Sequence, residues 1–107
     1  MRERYYSIDT FVPQDGLGTL RLGGSLDIGA REDVRDSIAD AGAAPGLDAL
    51  LVDLGGVTFV DSEALAGLIE GFLEVRETGV AIRMVNAHGI VRRVLEVTGT
   101  LELFGAA

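Results

Sequence analysis

Apolar and polar residues alternate near the start of the chain, which is the pattern of a half-buried strand. The alternation covers residues 6–12 and returns over residues 17–22. Between them stands the turn-forming run Pro13-Gln14-Asp15-Gly16. We therefore predict two antiparallel strands joined by a loop of several residues, with Gly23-Gly24 ending the second strand.

Beyond residue 30 the apolar spacing changes to that of helices separated by short strands. Val34, Ile38 and Ala41 are four and three residues apart, so they share one face of a helix predicted over residues 31–43. The nearly continuous apolar run at residues 50–54 is typical of a strand covered on both faces.

The second half of the chain repeats this alternation of helix and strand. After a predicted break at Gly55-Gly56, a second helix ends near Arg76. A strand over residues 80–86, a third helix over 90–97 and a short element over 101–104 follow. The order predicts a single α/β domain (1–107, core about 5–104) whose mostly parallel sheet has four to five strands, an antiparallel N-terminal hairpin and three to four helices.

Composition narrows the classes of partner and cofactor. The 107 residues carry 17 acids and 9 bases, a formal charge of −8, and every base is arginine. Phosphate backbones and anionic lipids are bound by basic surfaces, so we expect neither nucleic acid nor membrane as a partner. With no cysteine and one histidine, we expect no metal site, and we predict no cofactor. No apolar run is long enough to span a bilayer, and we expect a cytoplasmic protein.

Polar side chains follow three of the predicted strands at their carboxyl ends, where open α/β sheets place ligands and partners. Asp27 follows the second strand, Asp61, Ser62 and Glu63 follow the third, and His88 follows the fourth. These five residues are the candidate site, and we expect them on one edge of the sheet.

Three of the five candidates also have an ordinary structural interpretation. Asp61 has the position of a helix N-cap, Asp27 could close a short turn, and His88 could simply precede the third helix. Gly67 and Gly71, four apart in the second helix, could permit close packing of that helix. The sequence alone leaves these alternatives open.

The run Leu51–Ser62 resembles the signature strand, loop and helix of STAS domains, in particular those of bacterial anti-sigma factor antagonists. The stretch Gly24–Asp27 is similar to the family's Gly-x-Leu-Asp element. Arg83–Asn86 resembles its last core strand, and Val91–Gly99 resembles its closing helix. The resemblance covers about Leu17 to Phe104 and implies the STAS fold.

The resemblance also implies a function. In such antagonists the serine after the motif aspartate is phosphorylated, and this residue corresponds to Ser62. The unphosphorylated form binds an anti-sigma factor that is also a serine kinase, and a serine phosphatase restores this form. The chain departs from the family at Glu63, where a small residue is usual, at Ala64, where glycine is usual, and at Gly89, where proline is frequent.

Two other interpretations remain. One is a STAS scaffold or sensor subunit that binds protein partners without a phosphoserine cycle, which Glu63 favours. The other is an enzyme, because Ser62 and His88, with Asp27 or Asp61, supply the residue types of a catalytic triad. The chain has no Gly-x-Ser-x-Gly elbow, so we predict that it is not an enzyme.

Overall fold

The structure is a computed structural model that describes residues 6–105, apart from the side chains of Val12 and Pro13. Strands and helices alternate after an initial pair of strands, and no described helix is long and apolar enough to cross a membrane. The strands are β1 (Tyr6–Gln14), β2 (Leu17–Leu26), β3 (Ala49–Val60) and β4 (Ala81–Val85); the helices are α1 (Ala30–Gly42), α2 (Ser62–Glu77), α3 (Gly89–Thr98) and α4 (Thr100–Leu103).

The four strands form one sheet in the order β1-β2-β3-β4. β1 pairs antiparallel with β2, whereas β2–β3 and β3–β4 are parallel pairs. The predicted α/β class, mostly parallel sheet and N-terminal antiparallel hairpin are confirmed. Within residues 6–105 the sheet has four strands, and α4 is a fourth, short helix.

One face of the sheet is buried in the core. Over residues 17–22 of β2, 49–54 of β3 and 81–85 of β4, alternate residues are buried while those between them are half-buried or exposed. Each of the four described helices contributes side chains to one hydrophobic core, which it shares with the sheet. The buried sheet residues include Leu20, Leu22, Leu50, Val52, Leu54, Ile82 and Met84.

The hairpin turn is tighter than the sequence predicted. β1 continues to Gln14, and only Asp15 and Gly16 connect it to β2. Both have positive φ, 53° and 79°, as required at the two central positions of a type I′ turn. The predicted loop of several residues is therefore wrong, because Asp-Gly can reverse the chain in two residues.

The sequence predicted that Gly23-Gly24 ends β2 and that Gly55-Gly56 breaks the chain after β3. Both predictions are wrong. Gly23 pairs with Gly56, and both strands continue, to Leu26 and Val60. A Cβ at position 56 would lie 3.3 Å from the Gly23 Cα, and the register shifts on both sides of this pair. The glycines allow two backbones to approach closely at a bulged part of the ladder.

Close contact with α1 fixes the orientation of α2. A Cβ at Gly67 would lie 2.5 Å from the Arg31 carbonyl oxygen, and one at Gly71 would lie 2.9 Å from the Ile38 Cβ. The predicted packing role of these glycines is confirmed. Because α2 begins at Ser62, this contact also positions the candidate site.

Residues 101–104 pack back on the sheet, as predicted. The Phe104 carbonyl accepts a hydrogen bond from the Met84 amide at 2.9 Å, on the outer strand β4. The Phe104 ring is fully buried, and its centroid lies 5.2 Å from that of Phe72. Tyr5, the predicted first core residue, lies outside the described residues.

Candidate functional site

The carboxyl ends of β2 and β3 lie side by side. Leu26 pairs with Val60, and the Asp61 amide donates a hydrogen bond to the Leu26 carbonyl at 3.0 Å. The segments that leave these two strands, residues 25–28 and 59–63, are therefore neighbours. We call these two segments together the rim.

Asp61 is the N-cap of α2. Its Oδ1 accepts a hydrogen bond from the Ala64 amide at 2.7 Å, and its carbonyl accepts one from the Leu65 amide at 2.9 Å. The capping interpretation of Asp61 is confirmed. The cap fixes Ser62 as the first residue of α2, and Ser62 is exposed. The positive end of the helix dipole is thus at Ser62.

Asp27 closes the turn that leads into α1. Its carbonyl accepts a hydrogen bond from the Ala30 amide at 2.8 Å, and its carboxylate accepts one from the Ser25 hydroxyl at 3.0 Å. The N-cap of α1 is Gly29, with φ 81° and no side-chain cap. The Asp27 carboxylate therefore caps no helix amide and remains half-exposed on the rim.

Glu63 is held by an arginine that the sequence did not single out. Arg31 donates through Nη1 to Glu63 at 2.5 Å, and through Nε and Nη2 to Glu70 at 3.0 and 2.9 Å. Hydrogen bonds to Glu70 and then Glu63 raise the pKa of Arg31, while Arg31 lowers the pKa of Glu70. The charge of Glu63 is thereby directed towards α1 and partly compensated.

Only the crossing of α1 over α2 brings these three charges together. Glu63 and Glu70 are seven residues apart, two helical turns, and thus on the same side of α2. That spacing was visible in the sequence. The partner was not, because Arg31 is 32 residues away from Glu63 along the chain.

His88 lies apart from the other four candidates. Its Nε2 is 2.9 Å from the Gly55 carbonyl oxygen, and β4 already ends where Val85 pairs with Asp53. From Gly55, β3 continues to Val60, and Asp61 is six residues beyond Gly55, at most about 20 Å away at the usual rise of a strand. Because β3 is longer than expected, one edge does not collect all five side chains.

The triad residue types are accordingly not assembled. Within residues 6–105 no hydrogen bond joins His88 to Ser62, Asp27 or Asp61. The described residues also contain no group of three or more His, Asp and Glu side chains placed to hold a metal ion.

A second polar cluster surrounds Asp53, and the sequence did not indicate it. Asp53 Oδ1 accepts hydrogen bonds from the Gly55 amide at 2.8 Å and the Asn86 Nδ2 at 3.1 Å, and Oδ2 lies 3.6 Å from the Arg21 Nε. These contacts, with Asn86 the largest cause, lower the pKa of Asp53. Asn86 has φ 66°, so the cluster fixes a turn just before His88.

Comparison with known families assigns the fold. A sequence model of the STAS domain family matches residues 10–106. The chain belongs to the STAS domain family. A comparison with curated protein sequences gives no match.

Solved structures share this architecture. An anti-sigma factor antagonist from Mycobacterium paratuberculosis is 25% identical with a TM-score of 0.75, covering 94% of this chain and 85% of that one. The unphosphorylated anti-sigma factor antagonist SpoIIAA is 20% identical with a TM-score of 0.72, covering 88% and 82%. The phosphorylated SpoIIAA of Bacillus is 19% identical with a TM-score of 0.66, covering 88% and 85%.

Part of a much larger protein also matches. The murine Slc26a9 anion transporter is 26% identical with a TM-score of 0.71; the match covers 83% of this chain but 15% of the transporter. This chain therefore corresponds to a small part of that protein.

Proposed function

We propose that this STAS domain is an anti-sigma factor antagonist that binds an anti-sigma factor with serine kinase activity. Phosphorylation of Ser62 by that kinase would switch it off, and a serine phosphatase would restore it. The partner surface would be the rim, with Asp27, Asp61, Ser62 and Glu63, and His88 at the edge of the contact. The proposal places the cycle in the cytoplasm.

The exposed position of Ser62 at the start of α2 carries this proposal. A kinase needs a hydroxyl that it can reach, and Ser62 directly follows the capping Asp61 at the end of a buried strand. The antagonist from Mycobacterium and the two SpoIIAA structures support the assignment of the class.

A phosphate at Ser62 would be tolerated by the fold. It adds about −1.5 to −2 charges at pH 7. At a helix N-terminus the free amides and the dipole favour an anion by about 0.3–1 kcal/mol. Phosphorylation should therefore leave the domain folded.

The same phosphate would weaken partner binding. It adds charge and bulk to a rim that already carries Asp27, Asp61 and Glu63. Like charges brought together in an interface cost several kcal/mol. Release would then follow from local repulsion, without a large change of shape.

The second candidate function is a STAS scaffold that binds partners without a phosphoserine cycle. Glu63 supports it, because it places a permanent charge next to Ser62. However, the ion pair with Arg31 directs that charge towards α1. We therefore keep the antagonist as the preferred function.

Incubation with the anti-sigma factor kinase of the same organism and ATP tests the proposal. We expect the wild type to gain the mass of one phosphate, Ser62→Ala to gain none, and Ser7→Ala, which removes another exposed serine, to behave as the wild type. An unmodified wild type, or an undiminished gain in Ser62→Ala, would remove the antagonist proposal. Equal binding of Ser62→Ala and Ser62→Asp to the kinase would instead favour the scaffold.

A further inference from the structure

Two large apolar side chains are exposed on the rim. Ile28 is 80% exposed in the turn between β2 and α1, and Phe59 is 44% exposed near the end of β3. Phe59 pairs in register with Ser25, and Leu26, two residues before Ile28, accepts the Asp61 amide. Phe59 therefore lies a few residues before Ser62 on one segment of the rim, and Ile28 lies on the neighbouring segment.

Single exposed apolar residues are common on protein surfaces, so what matters is where these residues lie relative to the rim. Elsewhere in the described residues the large exposed apolar side chains are Phe11, Leu17, Ile90 and Val97. Phe11 and Leu17 lie at the hairpin end of the sheet, and Ile90 and Val97 lie on α3. Phe11 is also covered by the Arg21 guanidinium, 5.2 Å from its ring centroid.

The surroundings of Ile28 and Phe59 are acidic. Asp27, Asp61 and Glu63 belong to the rim, Glu32 is exposed in the first turn of α1, and Arg31 is engaged by two carboxylates. Apolar side chains surrounded by polar ones are typical of the centre of a protein–protein interface. Acidic borders are complemented by basic partner surfaces.

We infer that Ile28 and Phe59 are the apolar anchors of the rim, and that the partner offers an apolar pocket bordered by arginine or lysine. This inference rests on the proposed function and takes the anti-sigma factor kinase as the occupant. Ser62 belongs to the same rim as the anchors, so a phosphate there would add charge within the contact.

The chain provides a matched control for each anchor. Phe59→Ala is compared with Phe11→Ala, since the two rings are 44% and 45% exposed. Ile28→Ala is compared with Ile90→Ala, since both isoleucines are more than half exposed. Each pair loses the same atoms from an exposed position, and urea unfolding checks that all four variants are folded.

The test is the affinity and association rate of the unphosphorylated protein with the purified kinase, measured by biolayer interferometry. We expect Kd to rise about 10- to 30-fold for each rim variant and by less than about twofold for each control. The association rate should fall as salt is raised from about 50 to 300 mM.

The outcomes separate the inference from the proposed function. Wild-type binding with no larger loss in the rim variants than in their controls would overturn the anchors alone. An association rate independent of salt would overturn the basic border of the pocket. A wild type that does not bind the kinase would overturn both the inference and the proposed function.

Discussion

The close contact between α1 and α2 predicts that Gly67→Ala lowers the stability of the protein, although alanine usually stabilises a helix. Alanine in place of glycine normally stabilises the interior of a helix by up to about 1 kcal/mol. At Gly67 the added Cβ would lie 2.5 Å from the Arg31 carbonyl oxygen and 3.1 Å from the carbonyl carbon and Cα of Arg31. All three are backbone atoms, so a side-chain rotation cannot relieve the clash.

The magnitude follows from the displacement that is needed. Carbon–oxygen contacts begin at about 3.3 Å, so α1 must move away by about 0.8 Å. Overpacking costs about 1–3 kcal/mol, and a clash with backbone atoms that no rotamer relieves belongs in the upper part of that range, about 2–3 kcal/mol, which exceeds the gain in helix propensity. We expect Gly67→Ala to lower the free energy of unfolding by about 1–2 kcal/mol. The movement would also stretch the ion pairs of Arg31 with Glu63 and Glu70.

Urea unfolding followed by circular dichroism measures this free energy. Gly71→Ala is the graded comparison, because its Cβ would meet the Ile38 Cβ at 2.9 Å and the Arg35 carbonyl at 3.2 Å, and we expect a smaller loss. Ala66→Gly, at a half-buried position of the same helix, mainly measures helix propensity and should cost about 0.5–1 kcal/mol. A Gly67→Ala variant about 1 kcal/mol more stable than the wild type would refute the described packing of α1 on α2.

Three further predictions concern the charged groups. Asp61→Ala should cost about 1 kcal/mol in urea unfolding through loss of the α2 cap, with Asp61→Asn much closer to wild type; equal losses would contradict capping as the cause. Asp53 has a lower pKa in the folded protein than in the unfolded chain, so its ionised carboxylate stabilises the fold. This stabilisation should be fully present above about pH 5, where the unfolded carboxyl is already ionised, and should decline as pH falls towards the folded pKa. The stability difference between wild type and Asp53→Asn should therefore shrink on acidification from pH 5 to 2, and a difference that grows would be inconsistent with this sign. Arg31→Met should raise the pKa of Glu70 in a carbon-detected NMR titration, because it removes the ion pair that lowers this pKa. Arg76→Met, in the last turn of α2, should leave the Glu70 pKa unchanged. An unaltered Glu70 titration in Arg31→Met would exclude the ion pair in solution.

The order of elements could be predicted because apolar spacing reports burial directly. Val34 and Ile38 are buried and Ala41 packs against the core, as their spacing predicted. In the run at residues 50–54 only alternate residues are fully buried, whereas Leu51 and Asp53 are half-buried, so the second face of this strand is covered less than predicted. Glycine was the larger source of error. Gly23 and Gly56 have the composition of a turn, yet here they permit two strands to approach closely. Local sequence does not distinguish these two uses of glycine.

The site was predictable only where it depends on local sequence. Asp61 and Ser62 are consecutive, so capping and the start of α2 could be read from their immediate neighbours. The pairing of Arg31 with Glu63 depends on how two helices cross. The position of His88 depends on the length of β3 relative to β4. Neither is encoded in a short stretch of sequence.

Intact-mass spectrometry of the protein purified from its own host, grown under several conditions, tests the central claim most directly. The proposed function predicts a species heavier by one phosphate that disappears in Ser62→Ala and persists in Ser7→Ala. A phosphate retained in Ser62→Ala would contradict the assignment of the acceptor. A wild type that carries no phosphate under any of the conditions would contradict the switch and favour the constitutive scaffold.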